Sequence, residues 1–456
     1  MSMARASVVL ALCLLAAPPL SHAQAPPPAT PAPATTAPAP GTPVMERVIG
    51  RALSLEEAVG IALETQPQIQ ARLSDYMAAA YRVDQAFAPL LPQLTGSWTA
   101  ARTRTVTTTT SSQTSSAANG VIIRGFDQTT IARVSLSQVI FDFGKTFAST
   151  EAARRLAEVA QEDVELQRQL ITLTVKESFI NINFARRLIR VQEQALERAD
   201  LNLRSARGFF EVGTRPKSDV ARAEVDVANA RLDLIRARNS ERLARVALNT
   251  AMGIPADTPT EVQDNLVYQA ITIDRAQLLG EALAQRPEHK QARLRVDEAE
   301  ARARRAFRDF FPDINGVGSY GGARSDFSEV WELRLELSWS IFDGGNRLAR
   351  FRESKANIDG AQARVKATEL DISREVEQAQ LNVTEAQERI GAAQTAVASA
   401  QENFRLAQGR FDAGVGTILE LTDAQLFLTQ AQNTEAQALA DYRIAVARLE
   451  RAIGRR

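Results

Sequence analysis

Few residues in this chain could do covalent or metal chemistry. The 456-residue sequence holds one cysteine and two histidines. Cys13 sits in the apolar run of residues 8–17, preceded by Arg5 and followed by Ser21-His22-Ala23. A positive start, an apolar core and a small-x-small end are the marks of a cleaved secretory signal. The run falls short of the roughly 18–20 residues a membrane span needs. Leu12, just before Cys13, is too large for a lipid-anchor box, so the expected mature chain carries no lipid. Cleavage near Ala23 would remove Cys13 and His22 and leave His289 as the one histidine. Cys/His nucleophiles, histidine acid–base pairs and Cys/His zinc sites are then excluded. No phosphate-binding loop is present, so neither an enzyme nor a cofactor is expected. His289 follows Arg286-Pro287-Glu288 at a helix start and is expected to be solvated.

What remains is the chemistry of carboxylates. Glu420 and Asp423 are three apart on one helix and share a face. Asp219, after Ser218, opens another helix. At these positions a carboxylate offsets the helix dipole. Lys+Arg and Asp+Glu both number 54, so nucleic acid is not an implied partner.

The elements that position these residues follow from periodicity. Trp331, Leu333, Leu335, Leu337, Trp339 and Ile341 alternate with Glu332, Arg334, Glu336, Ser338 and Ser340. That period of two makes a strand with one apolar face. At Phe342-Asp343-Gly344-Gly345 the period changes, and a helical pattern runs for more than sixty residues. A twin joint ends Phe141-Asp142-Phe143-Gly144. Strands are expected at about 93–103, 129–141, 313–322 and 329–342, and helical hairpins at about 144–252 and 345–453. Residues 24–50 are Pro/Ala-rich and read as a flexible linker. Ser54 and Glu57 have capping-box spacing. The helix they open is interrupted at Gln66-Pro67 and ends before Pro89 and Pro92. The Thr/Ser run of residues 103–119 reads as a solvated loop. Residues 255–274 read as a linker with a short strand at 266–268.

The pattern occurs twice. Pro67 and Pro92 return 220 positions later as Pro287 and Pro312. Asp142, Gly208, Gly213 and Gly253 return 201 positions later as Asp343, Gly409, Gly414 and Gly454. The difference of 19 fits an insertion between the first two strands. The constant register indicates an internal duplication, residues 51–254 and 275–456.

Ile372, Val376, Ala379, Val383, Ala386, Ile390, Ala393, Val397, Ala400, Phe404, Ala407 and Phe411 step alternately by four and three. Such a 3.5-residue period is a coiled-coil seam. Leu428, Ala431, Glu435, Ala438, Tyr442, Ala445, Leu449 and Ala452 repeat it on the returning helix. The long arm spans roughly 100 Å at 1.5 Å per residue, the length of something that bridges a distance. About ten residues in a tilted strand cross a bilayer. Trp331 and Trp339 lie near the two ends of the apolar face, as an aromatic girdle requires. Four strands cannot close a spanning barrel, and open edges are not tolerated in lipid. The strands must be pooled between identical chains, and three chains give twelve.

Over residues 54–454 the sequence resembles the TolC-like outer-membrane efflux protein family. The resemblance rests on Leu53-Ser54-Leu55-Glu56-Glu57-Ala58 with Pro67, and on the Phe-Asp-x-Gly joints. It rests also on Phe210-Glu211-Val212-Gly213 followed by Asp219-Val220, and on Phe411-Asp412-Ala413-Gly414 followed by Glu420-Leu421. It implies an α+β membrane protein: a homotrimer whose twelve-stranded β-barrel in the outer membrane continues as an α-helical coiled-coil barrel through the periplasm. Phe141, Asp142, Gly144, Phe342, Asp343 and Gly344 would join barrel to tunnel, and Glu332, Arg334 and Glu336 would line the lumen. The hairpin tips at Gly213, Thr214, Arg215, Gly414, Val415 and Gly416 would meet a periplasmic adaptor (a membrane fusion protein). The adaptor would link to an inner-membrane pump of RND, ABC or MFS type. Asp219, Glu420 and Asp423 match the positions that ring the tunnel entrance. Where some relatives close the tip with an arginine, this chain has Gly416, which leaves Arg215 as the candidate substitute. The expected function is an exit duct for small molecules such as drugs. A duct for type I protein secretion and a periplasmic coiled-coil scaffold are the alternatives.

Overall fold

Ser54 opens the first helix as its spacing requires. Its Oγ accepts from Glu57 N at 3.2 Å, and Glu57 Oε2 accepts from Ser54 N at 3.0 Å. Helix α1 (Leu55–Thr65) ends at Gln66, and α2 (Pro67–Phe87) restarts with proline in its first turn, where no backbone donor is needed. In this computed structural model the described residues are 48, 50–109, 121–264, 266–268, 275–323 and 328–455. The expected signal, most of the linker at 24–50, residues 110–119 of the Thr/Ser run and residues 269–274 lie outside them.

From α2 the chain enters an antiparallel pair, β2 (Gln93–Thr109) and β3 (Val121–Phe141), then α3 (Lys145–Glu211) and α4 (Lys217–Met252). After a short segment the order returns: α5 (Arg275–Gln285), α6 (Pro287–Arg308), β5 (Asp313–Ala323), β6 (Ser328–Ser338), α7 (Asn346–Asp412) and α8 (Ile418–Ala452). Two two-residue strands, β1 (Ala52–Leu53) and β4 (Glu261–Val262), pair in parallel and tie the segment between the hairpins to the residues just before α1. The strand expected at residues 266–268 is absent. Leu266 N instead bonds to the Asp264 side chain at 3.3 Å, and the short strand lies at Glu261–Val262.

The four long strands form one antiparallel sheet in the order β2-β3-β5-β6. The first pair is longer than the sequence suggested. Residues 103–109, read as loop, are strand paired with residues 121–127. Threonine is β-branched and suits a pleated strand; its polarity was taken for loop character. β6 is shorter than expected and stops at Ser338, which leaves Trp339 and Ile341 beyond the ladder.

Helices α3 and α7 each span 67 residues, about 100 Å. α7 buries Ile372, Val376, Ala379, Val383, Ala386, Ile390 and Ala393 against Ala438, Tyr442, Ala445, Leu449 and Ala452 of α8. This is the 3.5-residue seam. α3 packs on α4 and α8 along part of its length, and on α2 and α6 along another. The α3–α8 contact is polar: Asn202 Nδ2 donates to Gln425 Oε1 at 2.7 Å, and Gln425 Nε2 to Ala195 O at 3.0 Å.

His289 is not solvated. Helix α6 docks on α7, and this buries the ring with Nδ1 2.7 Å from Leu283 O and Nε2 3.4 Å from Glu369 Oε1. Beside it the buried Arg286 reaches Glu288 and Glu375, both at 2.6 Å, and Arg451 reaches Glu288 at 3.1 Å. Burial opposes ionisation of Glu288, but Arg286 and Arg451 outweigh it and hold the carboxyl below its usual range. A depressed carboxyl stabilises the fold above its unfolded value of about 4.3 and loses that effect as pH falls through the folded value. Glu288→Gln is therefore expected to lose roughly 2 kcal/mol at neutral pH. Its stability should also change less than wild type between about pH 5 and 3, as denaturant melts in detergent would read.

Candidate functional site

Three regions carry the candidate residues: the two faces of the sheet, the strand-to-helix joints and the hairpin turns. Strand register sorts the faces. Trp331 lies opposite Tyr320, Leu333 opposite Gly318, Leu335 opposite Gly316 and Leu337 opposite Ile314. Val134 and Leu136 of β3 continue these rows, as do Gly96 and Leu94 of β2. The resulting apolar surface is open: Leu333 is 80% exposed, Leu335 72%, Leu94 72% and Trp98 70%. A water-soluble monomer rarely exposes a contiguous apolar patch of this extent. Trp98, Tyr320 and Trp331 lie within one pair spacing of a common level, an aromatic row that the alternation of single strands did not reveal. Trp339 stands apart, with its Nε1 donating to Phe310 O at 3.1 Å.

The opposite face is polar. Arg334 bridges Glu332 at 3.2 Å and Glu336 at 3.3 Å. Arg133, Ser135 and Ser137 stand on the same face across the sheet. Arg133 is a polar-face residue that sequence reasoning overlooked, although its parity against Val134 marked it. β2 and β6 are the outer strands, and among the described residues each pairs on one side alone.

The two joints share one geometry. Asp142 accepts from Gly144 N at 2.9 Å and Thr146 N at 2.7 Å. Asp343 accepts from Gly345 N at 3.2 Å and Arg347 N at 3.0 Å. Each aspartate thereby satisfies amides that a starting helix leaves free. Two consecutive left-handed residues make each bend: Phe143 (φ 55°) with Gly144 (φ 81°), and Gly344 (φ 69°) with Gly345 (φ 88°). A non-glycine residue there costs about 1–2 kcal/mol. Phe143 offsets this by stacking on Phe311 at 5.3 Å and meeting Phe141 edge-on at 4.7 Å. Lys145 Nζ bonds to Asp313 at 2.8 Å and Arg308 to Gly144 O at 2.6 Å, so the first joint is tied to the strand that opens the second half. Asp343→Ala should lower stability, as loss of an N-cap does, in denaturant titration followed by circular dichroism.

At the far ends of the hairpins the turns are reversed by Gly213 (φ 73°) and Gly414 (φ 78°). Arg215 joins them. Its guanidinium donates to Gly416 O at 2.6 Å, lies over the Phe411 ring at 4.2 Å and the Phe209 ring at 5.6 Å, and sits 3.5 Å from Asp219. The Arg215 side chain is 12% exposed. Gly416 packs tightly on the end of α7, where a Cβ would stand 3.0 Å from the Arg410 and Phe411 backbone. Thr422 Oγ1 adds a second link, to Asp226 at 2.9 Å. Thr214 and Val415, in the two turns, are both exposed.

The three acidic candidates separate. Asp219 is engaged with Arg215. Glu420 lies in the first turn of α8, where its N–H donates to Thr417 Oγ1, and its carboxylate is 3.6 Å from Arg410. Asp423 is exposed and has no ion-pair partner among the described residues. Among those residues, no cluster of three or more His, Cys, Asp or Glu could hold a metal, and no helix is long and apolar enough to cross a membrane.

Comparison with known proteins agrees with this arrangement. The sequence pattern that defines the family "Outer membrane efflux protein" matches residues 58–254 and 278–455. The alkaline protease secretion protein AprF of Pseudomonas aeruginosa is 26% identical over 322 residues, 68% of this chain and 65% of AprF. The outer membrane efflux protein BepC of Brucella suis is 23% identical over 295 residues, 63% of this chain and 60% of BepC. The chain thus aligns with somewhat under two thirds of each relative. The CmeC outer membrane channel of Campylobacter jejuni has the same fold, with a TM-score of 0.72 over 88% of this chain and 85% of CmeC at 19% identity. With the family pattern covering both halves, the chain belongs to the outer membrane efflux protein family.

Proposed function

We propose that three copies of this chain form an outer-membrane exit duct. The observation that carries the reading is the sheet: four strands with one exposed apolar face, one charged face and two open edges, continuous with helices of about 100 Å. Pairing β2 of one copy with β6 of the next closes the open edges over the length of β6 and gives a closed twelve-stranded barrel, the form lipid requires. The apolar face then meets lipid, and Glu332, Arg334, Glu336 and Arg133 line the lumen.

The helices support the same ring. On α4, Val225, Leu232, Ile235, Leu243 and Val246 form an exposed stripe separate from the face that packs on α3. From Val225 to Val246 it spans three heptads, the spacing of a further coiled-coil seam. A neighbouring copy would cover it.

In this duct the turns at Gly213–Arg215 and Gly414–Gly416 form the periplasmic tip and the contact for an adaptor that couples the duct to an inner-membrane pump. Glu420 and Asp423 would bring six carboxylates to the entrance and favour cations. Glu420→Gln with Asp423→Asn should lower cation-over-anion selectivity in planar bilayers several-fold. Unchanged selectivity and unchanged block by multivalent cations would return both residues to a helix-dipole role.

Two cargoes fit. The name of BepC favours efflux of small molecules; that of AprF favours protein secretion. A deletion strain separates them: accumulation of drugs supports the first, and loss of a secreted protein supports the second.

A further inference from the structure

The duplicated halves diverge in a groove just below the sheet. Between α6 and α7 an open groove of about 660 Å³ is lined by Phe143, Phe307, Phe311 and Phe351, with Arg304 and Arg308 among them. That volume lies within the range of ligand sites, about 300–1,000 Å³. The 220- and 201-residue shifts give the counterparts in the first half: Asp84 for Arg304, Ala88 for Arg308, Leu91 for Phe311 and Thr150 for Phe351. The second half thus carries rings and guanidiniums that the first lacks at these positions. The rings continue the apolar face of the sheet. Phe141 lies opposite Ile314, and Ile314 opposite Leu337, in the row of Leu333 and Leu335. From Phe141 the contacts run ring to ring: to Phe143 at 4.7 Å, on to Phe311 at 5.3 Å, then to Phe307 at 5.9 Å and Phe351 at 5.7 Å. Phe307 is 51% exposed. Both walls belong to one chain, with α6 packed between α3 and α7, so the edge pairing of β2 with β6 does not use them.

The cations lie beyond the rings, away from the sheet. Helix α6 runs toward the sheet and α7 runs away from it. Arg304 is three residues before Phe307, and Lys355 four residues after Phe351. Each is therefore about 5–6 Å further from the sheet than its ring. Lys355 Nζ stands 4.9 Å from the Phe351 ring. Arg304 is half-exposed, and its pair with Glu300 is loose, at 3.8 Å. Arg308 is committed to Gly144 O at 2.6 Å and holds the upper wall. Apolar toward the sheet and cationic toward the helices is the order of acyl chain and phosphate in the leaflet on the helical side. Guanidinium and ammonium groups at a membrane surface each attract anionic lipid, and guanidinium binds phosphate through paired hydrogen bonds.

We infer that this groove binds an anionic phospholipid of the periplasmic leaflet, with its acyl chain on Phe307, Phe311 and Phe351 and its phosphate at Arg304 and Lys355. The inference rests on the exit-duct reading, which sets the joints at the periplasmic edge of the bilayer. The test uses the full chain in nanodiscs of equal phosphatidylcholine and phosphatidylglycerol. Lipid retained after mild detergent extraction is counted by native mass spectrometry. Wild type should retain phosphatidylglycerol over phosphatidylcholine. Arg304→Asp/Phe351→Thr, which installs the first-half residues, should retain at least about fivefold less, while Asp84→Asn at the matching first-half position retains as much as wild type. If the double variant does not assemble, Arg304→Gln/Lys355→Gln should lower retention by a similar factor. A photoreactive maleimide on Glu300→Cys in the Cys13→Ser chain should attach to lipid. Equal retention by wild type and the groove variants, equal retention of the two lipids, or attachment of the probe to a second copy of the chain would each overturn the proposal. Channel conductance measured on the same samples separates the two readings. Normal conductance with retention independent of the groove residues refutes the lipid site alone, and absence of channels in wild type refutes the duct.

Discussion

Leu335→Arg should abolish insertion of the proposed trimer into the outer membrane, whereas Arg334→Gln, one residue earlier, should leave assembly intact and raise cation selectivity. Leu335 lies mid-strand on the apolar face and is 72% exposed in the single chain. A cation on the lipid face near the bilayer midplane costs about 2–4 kcal/mol, and a trimer incurs this three times. Arg334 stands on the other face, half-exposed, between Glu332 and Glu336. Exposed pairs of this kind contribute about 0–1 kcal/mol, so their loss leaves the fold unaffected. In the proposed lumen it removes one positive charge per chain and leaves two carboxylates unbalanced. Membrane fractionation with non-denaturing electrophoresis reads the first effect, and reversal potential in a salt gradient reads the second. Assembly of Leu335→Arg at wild-type levels would remove lipid from the apolar face.

Arg215→Ala is expected to free the two hairpin turns from each other. The guanidinium touches both turns, through Gly416 O and the Phe411 ring on one side and Asp219 and Phe209 on the other. Removing one partner of a well-buried pair costs about 3–5 kcal/mol. At 3.5 Å and partial exposure this pair warrants less, about 2–3 kcal/mol. Each 1.4 kcal/mol is a factor of ten, so the separated state should gain roughly 30- to 140-fold in population. Spin labels at Thr214 and Val415 should report a longer and broader distance, and bilayer recordings should show larger conductance at low voltage. Arg215→Lys keeps the charge without the planar fork and should fall between. A distance distribution unchanged in Arg215→Ala would show that Thr422–Asp226 and the α3–α8 contacts hold the turns without it.

Local rules made much of this fold legible. The Ser54–Glu57 box, the breaks at Pro67 and Pro287, and the 3.5-residue seam on α7 are written in short-range spacing, and each has the expected geometry. The joints were legible because the period changes where an aspartate is followed by glycine two residues on. Non-local contacts were not legible. Arg215 stood beside Pro216 in the sequence, but its acceptor on Gly416 is 201 residues away and is a backbone oxygen that no side chain advertises. His289 looked solvated because its neighbours are charged, yet those charges pair with α7 and α8 rather than with water. The Thr/Ser run was misread because threonine serves strands and loops alike, and only its partner strand decides. Trp339 continued an alternation that the hydrogen-bonded ladder had already left.

The central claim is that the two faces of this sheet meet different solvents. A single-cysteine scan of residues 331–337 in the Cys13→Ser chain, labelled in native outer membranes with a charged, water-soluble maleimide, tests it most directly. The account predicts a period of two: positions 332, 334 and 336 react, while 331, 333, 335 and 337 react with a lipid-soluble reagent alone. Uniform labelling by the charged reagent, or labelling confined to the odd positions, would contradict it.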